Sequence, residues 1–213
     1  MNILLNILVL VATVLGSWMA FPQARRIART REVDGVSATW IGVSLGINAW
    51  WLTYGLAEHV WALVPVSAVS LVLYGVMAHG YLAAVGRAAL PGFSLGMFGL
   101  GMIPLPFLVF GGWASAGVVV GLCYGVQLLP AVIASCRTSV LTGVSAATWL
   151  IAWVEAAVWL AYGLGVGDTA LMIAGAVGAA MSSVILGRLV VTGHRPFTVL
   201  DVRRRYASVS AAH

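Results

Sequence analysis

The stretch Gly35-Val36-Ser37-Ala38 … Trp51-Leu52-Thr53-Tyr54-Gly55-Leu56 returns 108 residues on as Gly143-Val144-Ser145-Ala146 … Trp159-Leu160-Ala161-Tyr162-Gly163-Leu164. The same offset carries Pro22 onto Pro130, Arg29 onto Arg137 and Thr30 onto Thr138, so that 13 of the 35 positions from 22 to 56 recur. A fixed period in so apolar a chain indicates a duplicated membrane unit, and internal repeats mark secondary transporters.

Composition sets the class. Hydrophobic residues make up 62% of the chain and charged ones 8%, with a mean hydropathy of +1.02. Soluble domains carry about a quarter of their residues as charges. Apolar runs near the ~20 residues needed to cross a bilayer fall at 3–21, 36–56, 60–80, 93–111, 113–134, 143–164 and 168–190. The fourth and fifth are divided only by the turn signal Gly111-Gly112. Hydrocarbon offers the backbone no partners, so each span is expected to be an α-helix, and the alternation of a membrane barrel is absent.

Charge orients the seven spans. Arg25, Arg26, Arg29 and Arg31 follow the first, Arg87 the third and Arg137 the fifth, while Arg188, Arg195 and Arg203-Arg204-Arg205 lie at or beyond the end of the seventh. The opposite loops hold Glu58 and Asp168 and no basic residue. The positive-inside bias then puts the N-terminus outside and the C-terminus in the cytoplasm, in a plasma membrane of bacterial type. The net charge of +5 follows from these arginines and calls for no nucleic acid. Arg203-Arg204-Arg205 reads as a solvated anchor beside lipid headgroups. The first apolar run lacks a basic segment before it and is expected to stay as a helix rather than be cleaved.

An offset of four helices restores the original direction, so the repeats are parallel. The expected fold is all-α and integral to the membrane. Residues 1–80 form one three-helix unit, 81–112 a loop and inverting linker helix kinked by Pro104 and Pro106, 113–190 the second unit, and 191–213 a basic cytoplasmic tail.

Phe21-Pro22-Gln23 at the end of the first helix, basic residues after it, then Gly-Val-Ser and Trp-x-x-Tyr-Gly resemble a PQ-loop repeat. Two such units around a linker helix resemble the SWEET sugar-transporter family, over most of residues 3–190. In the second copy Ala131 stands at the Gln position. The resemblance implies facilitated, bidirectional passage of a mono- or disaccharide by alternating access, through a central pocket. Neighbouring alternatives are a proton-coupled amino-acid exporter of the PQ-loop type, and a receptor or sorting factor that moves nothing.

Pro22 and Pro130 remove a backbone N–H and crowd the preceding turn, which suits a paired hinge for an inner gate with Gln23; ending a helix is the plainer role for each. Trp51 and Trp159 are placed by the resemblance in the pocket, where a flat ring can stack on a sugar; on general grounds they would join an interfacial belt. Tyr54 and Tyr162 share their helix faces and could line an outer gate. Trp50 and Trp153 lack this symmetry and are expected to face lipid. The family's pocket Asn in each third helix falls near Ser67 and Gly175. Polar groups appear instead at Asn48 and Glu155, which share faces with Trp51 and Trp159.

Glu155 is the costliest of these, since Asp or a basic residue at mid-membrane costs roughly 2.5–3.5 kcal/mol on insertion scales. Such groups usually face a cavity and mark a substrate or proton path, the alternative being a neutral acid bonding two helices. Tyr124 and Gln127 are polar enough to reach a cavity, and so is Ser17. Gly42-x-x-x-Gly46 and Gly117-x-x-x-Gly121-x-x-x-Gly125 read as helix-packing stripes. Cys123 and Cys136 have no metal-ligand spacing and read as small packing residues. No nucleophile–base pair, phosphate loop or metal cluster appears, so neither an enzyme nor a cofactor is expected. The sequence leaves room for a homo-oligomer, although two fused units can enclose a pocket within one chain.

Overall fold

The computed structural model describes residues 3–31, 33, 36–137 and 146–192. The second Gly-Val-Ser at 143–145 and the arginine tail lie outside the described residues, and so do the side chains of Pro22 and Pro130. Among the described residues the regular structure is helical throughout, with no strand. Its α-helices are α1 (Ile3–Thr30), α2 (Ala38–Ala57), α3 (Leu63–Val85), the short α4 (Leu90–Ser94), α5 (Leu105–Arg137), α6 (Ala146–Val166) and α7 (Thr169–Val191). A π-turn at Leu95–Gly99 and a 3₁₀ turn at Leu100–Met102 join α4 to α5.

Among the described residues, five stretches are long and apolar enough to cross a membrane: Leu5–Thr30, Leu63–Met102, Leu105–Arg137, Thr148–Val166 and Thr169–Val191. The chain is thus a helical protein built for a bilayer. Helix α2 is 20 residues long but lies outside this set, because Ser44, Asn48, Thr53 and its aromatic residues dilute its hydropathy.

Glycines in the left-handed region cut the apolar runs, where a side chain would be strained. Gly86 (φ 73°) ends α3, and Gly112 (φ 69°, ψ −169°) interrupts α5 at the Gly111-Gly112 signal. The expected single helix over 93–111 is instead broken into short α, π and 3₁₀ pieces. Pro104 and Pro106 supply no N–H and crowd the carbonyls one turn back, so the ladder there cannot run straight.

Two further expectations need correction. Helices α1 and α5 run through Pro22 and Pro130 rather than ending there, so Arg25 and Arg29 lie on the last turns of α1 instead of in a loop. Trp50 does not face lipid alone: its Nε1 donates to Gly101 O at 2.7 Å, and its ring packs edge-on against Trp113 at 6.2 Å. Trp153 is partly exposed, as expected, and donates to Ser183 Oγ at 3.0 Å. Cys123 is buried, whereas Cys136 is exposed.

Helix α3 packs on both α1 and α2, and α7 packs on both α5 and α6; α1 meets α6, and α2 meets α5. Exchanging α1, α2 and α3 for α5, α6 and α7 leaves this pattern unchanged. Glycine stripes bring the helices close. A Cβ on Gly42 would stand 2.5 Å from Phe93 O, and one on Gly46 2.9 Å from Gly101 Cα, so α2 is seated directly on α4 and the segment after it. Gly121 faces Ala170 O and Gly125 faces Val177 in the same manner.

Candidate solute cavity

A cavity of about 200 Å³ lies between α1, α2, α3, α5, α6 and α7. Of the twenty described residues that line it, sixteen form eight pairs 108 positions apart: Gly16 with Tyr124, Ala20 with Leu128, Ile47 with Glu155, Asn48 with Ala156, Trp51 with Trp159, Leu63 with Leu171, Val66 with Ala174, and Ser67 with Gly175. Trp51, Trp159, Asn48, Glu155, Ser67 and Gly175 therefore all border one space, together with Tyr124 and Gln127. Ser17 does not; its neighbour Gly16 does. Gln23 is half-buried on α1, away from the lining.

The two tryptophans keep matched surroundings. Trp51 meets Tyr54 edge-on at 5.9 Å and 86°, and Trp159 meets Tyr162 at 6.0 Å and 87°. The polar groups beneath them do not match. Helix α3 presents Ser67, Ser70 and Tyr74, which are spaced to share one face, whereas the corresponding residues of α7 are Gly175, Gly178 and Ser182. Gly175 borders the cavity without a side chain, and α6 requires this: a Cβ there would be 2.5 Å from Leu160 N and 2.7 Å from Ala156 O. No Asn fits at that position.

Ser44, fully buried on α2, ties the polar wall together. Its Oγ accepts from Gln127 Nε2 at 2.7 Å and shares a hydrogen bond with Tyr74, while its carbonyl accepts from Asn48 Nδ2 at 2.8 Å. Three helices thus meet at one hydroxyl. On α6, the Trp159 indole N–H donates to the Glu155 carboxylate. That carboxylate lies over Gly16 of α1, where a Cβ would come within 2.5 Å of Oε1.

One end of the cavity is plugged. Tyr54, Ala62, Leu63, Tyr162, Ala170 and Leu171 form a buried cluster across α2, α3, α6 and α7. The Tyr54 hydroxyl crosses it to donate to Asp168 Oδ2 at 3.0 Å, while Asp168 Oδ1 caps α7 by accepting from Leu171 N at 3.0 Å. Toward the Arg137 end the cores divide. Ala20, Ala24, Ile27, Ile41 and Met77 belong to α1–α3, and Ile185 and Leu189 to α7 with its α5 and α6 neighbours. Between the two levels, Val43 and Ile47 keep α2 against Val120 and Cys123 of α5.

Sequence reasoning missed Asp168 as a contact and overlooked Trp40, Ser70 and Tyr74 in the lining. An Asp directly before an apolar helix is a capping signal, and the spacing of Ser67, Ser70 and Tyr74 was there to be read. Ser44 carried no such signal, since a lone Ser in an apolar helix usually bonds its own preceding turn. No protein-family model matches the chain, and no curated protein does.

Proposed function

We propose that the chain is an alternating-access transporter of a small polar solute, SWEET-like in design, with seven spans arranged as two parallel three-helix repeats about a linker helix. The observation that carries this reading is the cavity whose lining falls into eight pairs 108 residues apart. A duplicated unit that encloses a site at its own pseudo-symmetry axis can rock about that site. The plug around Tyr54 and Asp168, set against separate cores at the arginine-rich end, supports an inward-facing state. The N-terminus is then outside and the C-terminus cytoplasmic. Helices α1 and α5 continue past Pro22 and Pro130, which supports flexible points within the helices rather than ends.

A sugar is the solute that the family resemblance implies. Trp51 and Trp159 support it as flat apolar platforms. Asn48, Gln127, Ser67, Ser70 and Tyr74 support it as hydrogen-bonding partners for hydroxyls. Uptake of radiolabelled glucose, sucrose and a mixed amino-acid pool into proteoliposomes, with and without a pH gradient, tests the proposal. Sugar flux indifferent to the gradient is the expected result. Gradient-driven amino-acid flux would replace the solute and make Glu155 a proton carrier. Folded protein that moves nothing would point to a receptor.

A further inference from the structure

Beside the hydroxyls of Ser67, Ser70, Tyr74 and Tyr124, the cavity is lined by three side chains whose acceptor oxygens bear on the charge of its occupant: Asn48, Gln127 and Glu155. Both carboxamides turn their NH₂ groups onto Ser44. Among the described residues no donor reaches Asn48 Oδ1 or Gln127 Oε1, and neither oxygen is sealed from the cavity that both residues line. The Glu155 carboxylate takes the Trp159 indole N–H, yet a carboxylate has about four lone-pair directions. Among the described residues no Arg, Lys or His lines the cavity. Acceptor oxygens from α2, α5 and α6 thus stand around a space flanked by two indole rings.

A donor-only group answers this arrangement. A primary ammonium carries three donors and no acceptor, forms charge-assisted bonds to carboxylate, and is attracted to an indole face. A carboxylate on the same solute would meet Glu155 and find no cationic partner.

We infer that the cavity takes a small solute bearing one protonated amine and no carboxylate. Glu155 is its counter-ion, Asn48 and Gln127 are neutral acceptors, and Trp51 and Trp159 flank the cation. The inference rests on the transporter proposal for the solute's fate, though not for its binding. An amino sugar joins this chemistry to the sugar reading, and a plain amine is the other source of the same group.

Calorimetry on the full-length protein in detergent, with glucose, glucosamine and ethanolamine as probes, followed by flux of each in proteoliposomes, tests it. Glucosamine is expected to bind about tenfold to a hundredfold tighter than glucose, the usual range for a hydrogen bond to a charged group. Glu155→Gln should erase that preference. Gly16→Ala, which displaces the carboxylate without removing its charge, should reduce it. Tight, Glu155-dependent binding of ethanolamine would assign recognition to the amine alone; binding of glucosamine only would require the sugar as well. Equal affinity for glucose and glucosamine, a preference that survives in Glu155→Gln, or no binding of any probe overturns the inference. Glucose flux without amine preference sinks the ammonium site and leaves the transporter standing. Amine binding without flux does the reverse.

Discussion

Tyr54 and Asp168, 114 residues apart, meet through a 3.0 Å hydrogen bond in which the phenol donates to Oδ2. Asp168 Oδ1 meanwhile caps α7 at Leu171 N. One carboxylate thus starts α7 and fastens it to α2. The two roles separate by substitution. Tyr54→Phe removes the tie alone, Asp168→Ser retains a capping oxygen that is too short for the tie, and Asp168→Ala removes both. A hydrogen bond to a charged group contributes about 1.5–3 kcal/mol and a cap about 1 kcal/mol. Thermal unfolding in detergent should therefore rank Asp168→Ala as the least stable of the three. Tyr54→Phe should also speed alkylation of a cysteine placed at Leu63 in the plug; an unchanged labelling rate would mean that the tie holds nothing shut.

Gly16 and Gly175 both border the cavity, but a methyl group at each meets different matter. At Gly16 it meets the end of the Glu155 side chain, which can swing away; at Gly175 it meets the backbone of α6. Gly175→Ala should cost about 1–3 kcal/mol through forced separation of packed helices, and Gly175→Asn more. Gly16→Ala should leave the melting temperature near that of the wild type while weakening solute binding. Melting curves and binding isotherms on the same preparations check both outcomes.

Two buried serines should behave oppositely. Ser44→Ala strips Gln127 and Tyr74 of a partner inside the protein, at a cost of about 1–3 kcal/mol for the groups left unpaired. Ser182 Oγ is buried with no partner among the described residues, so Ser182→Ala should be neutral or stabilising. Equal destabilisation by the two substitutions would argue against the Ser44 junction.

Much of the site was legible because duplication writes the same positions twice. Trp51 and Trp159 repeat in sequence and repeat their ring geometry within 0.1 Å and one degree. Glu155 and Asn48 could be placed from helix periodicity relative to those rings. The close approach of α6 and α7, which explains the glycine at 175, could not: it depends on how two helices meet, and no spacing encodes that. The Tyr54–Asp168 tie is illegible for the same reason. Helix α2 was legible as an apolar run and as part of the repeat, but Ser44, Asn48 and Thr53 leave it less apolar than the five stretches able to cross a membrane. The linker was misread because Pro104 and Pro106 signalled a kink in one helix, and the backbone instead breaks into several short turns.

Transport as proposed requires the cavity to open at the Tyr54–Asp168 end for solute to pass. Tyr54→Cys and Asp168→Cys, in a chain with Cys123 and Cys136 replaced by alanine, joined by a short cleavable thiol-reactive linker, would hold that end shut. Flux of labelled glucose and glucosamine through proteoliposomes should be lost on cross-linking and return when the linker is cleaved. Undiminished flux through fully cross-linked protein would contradict the account.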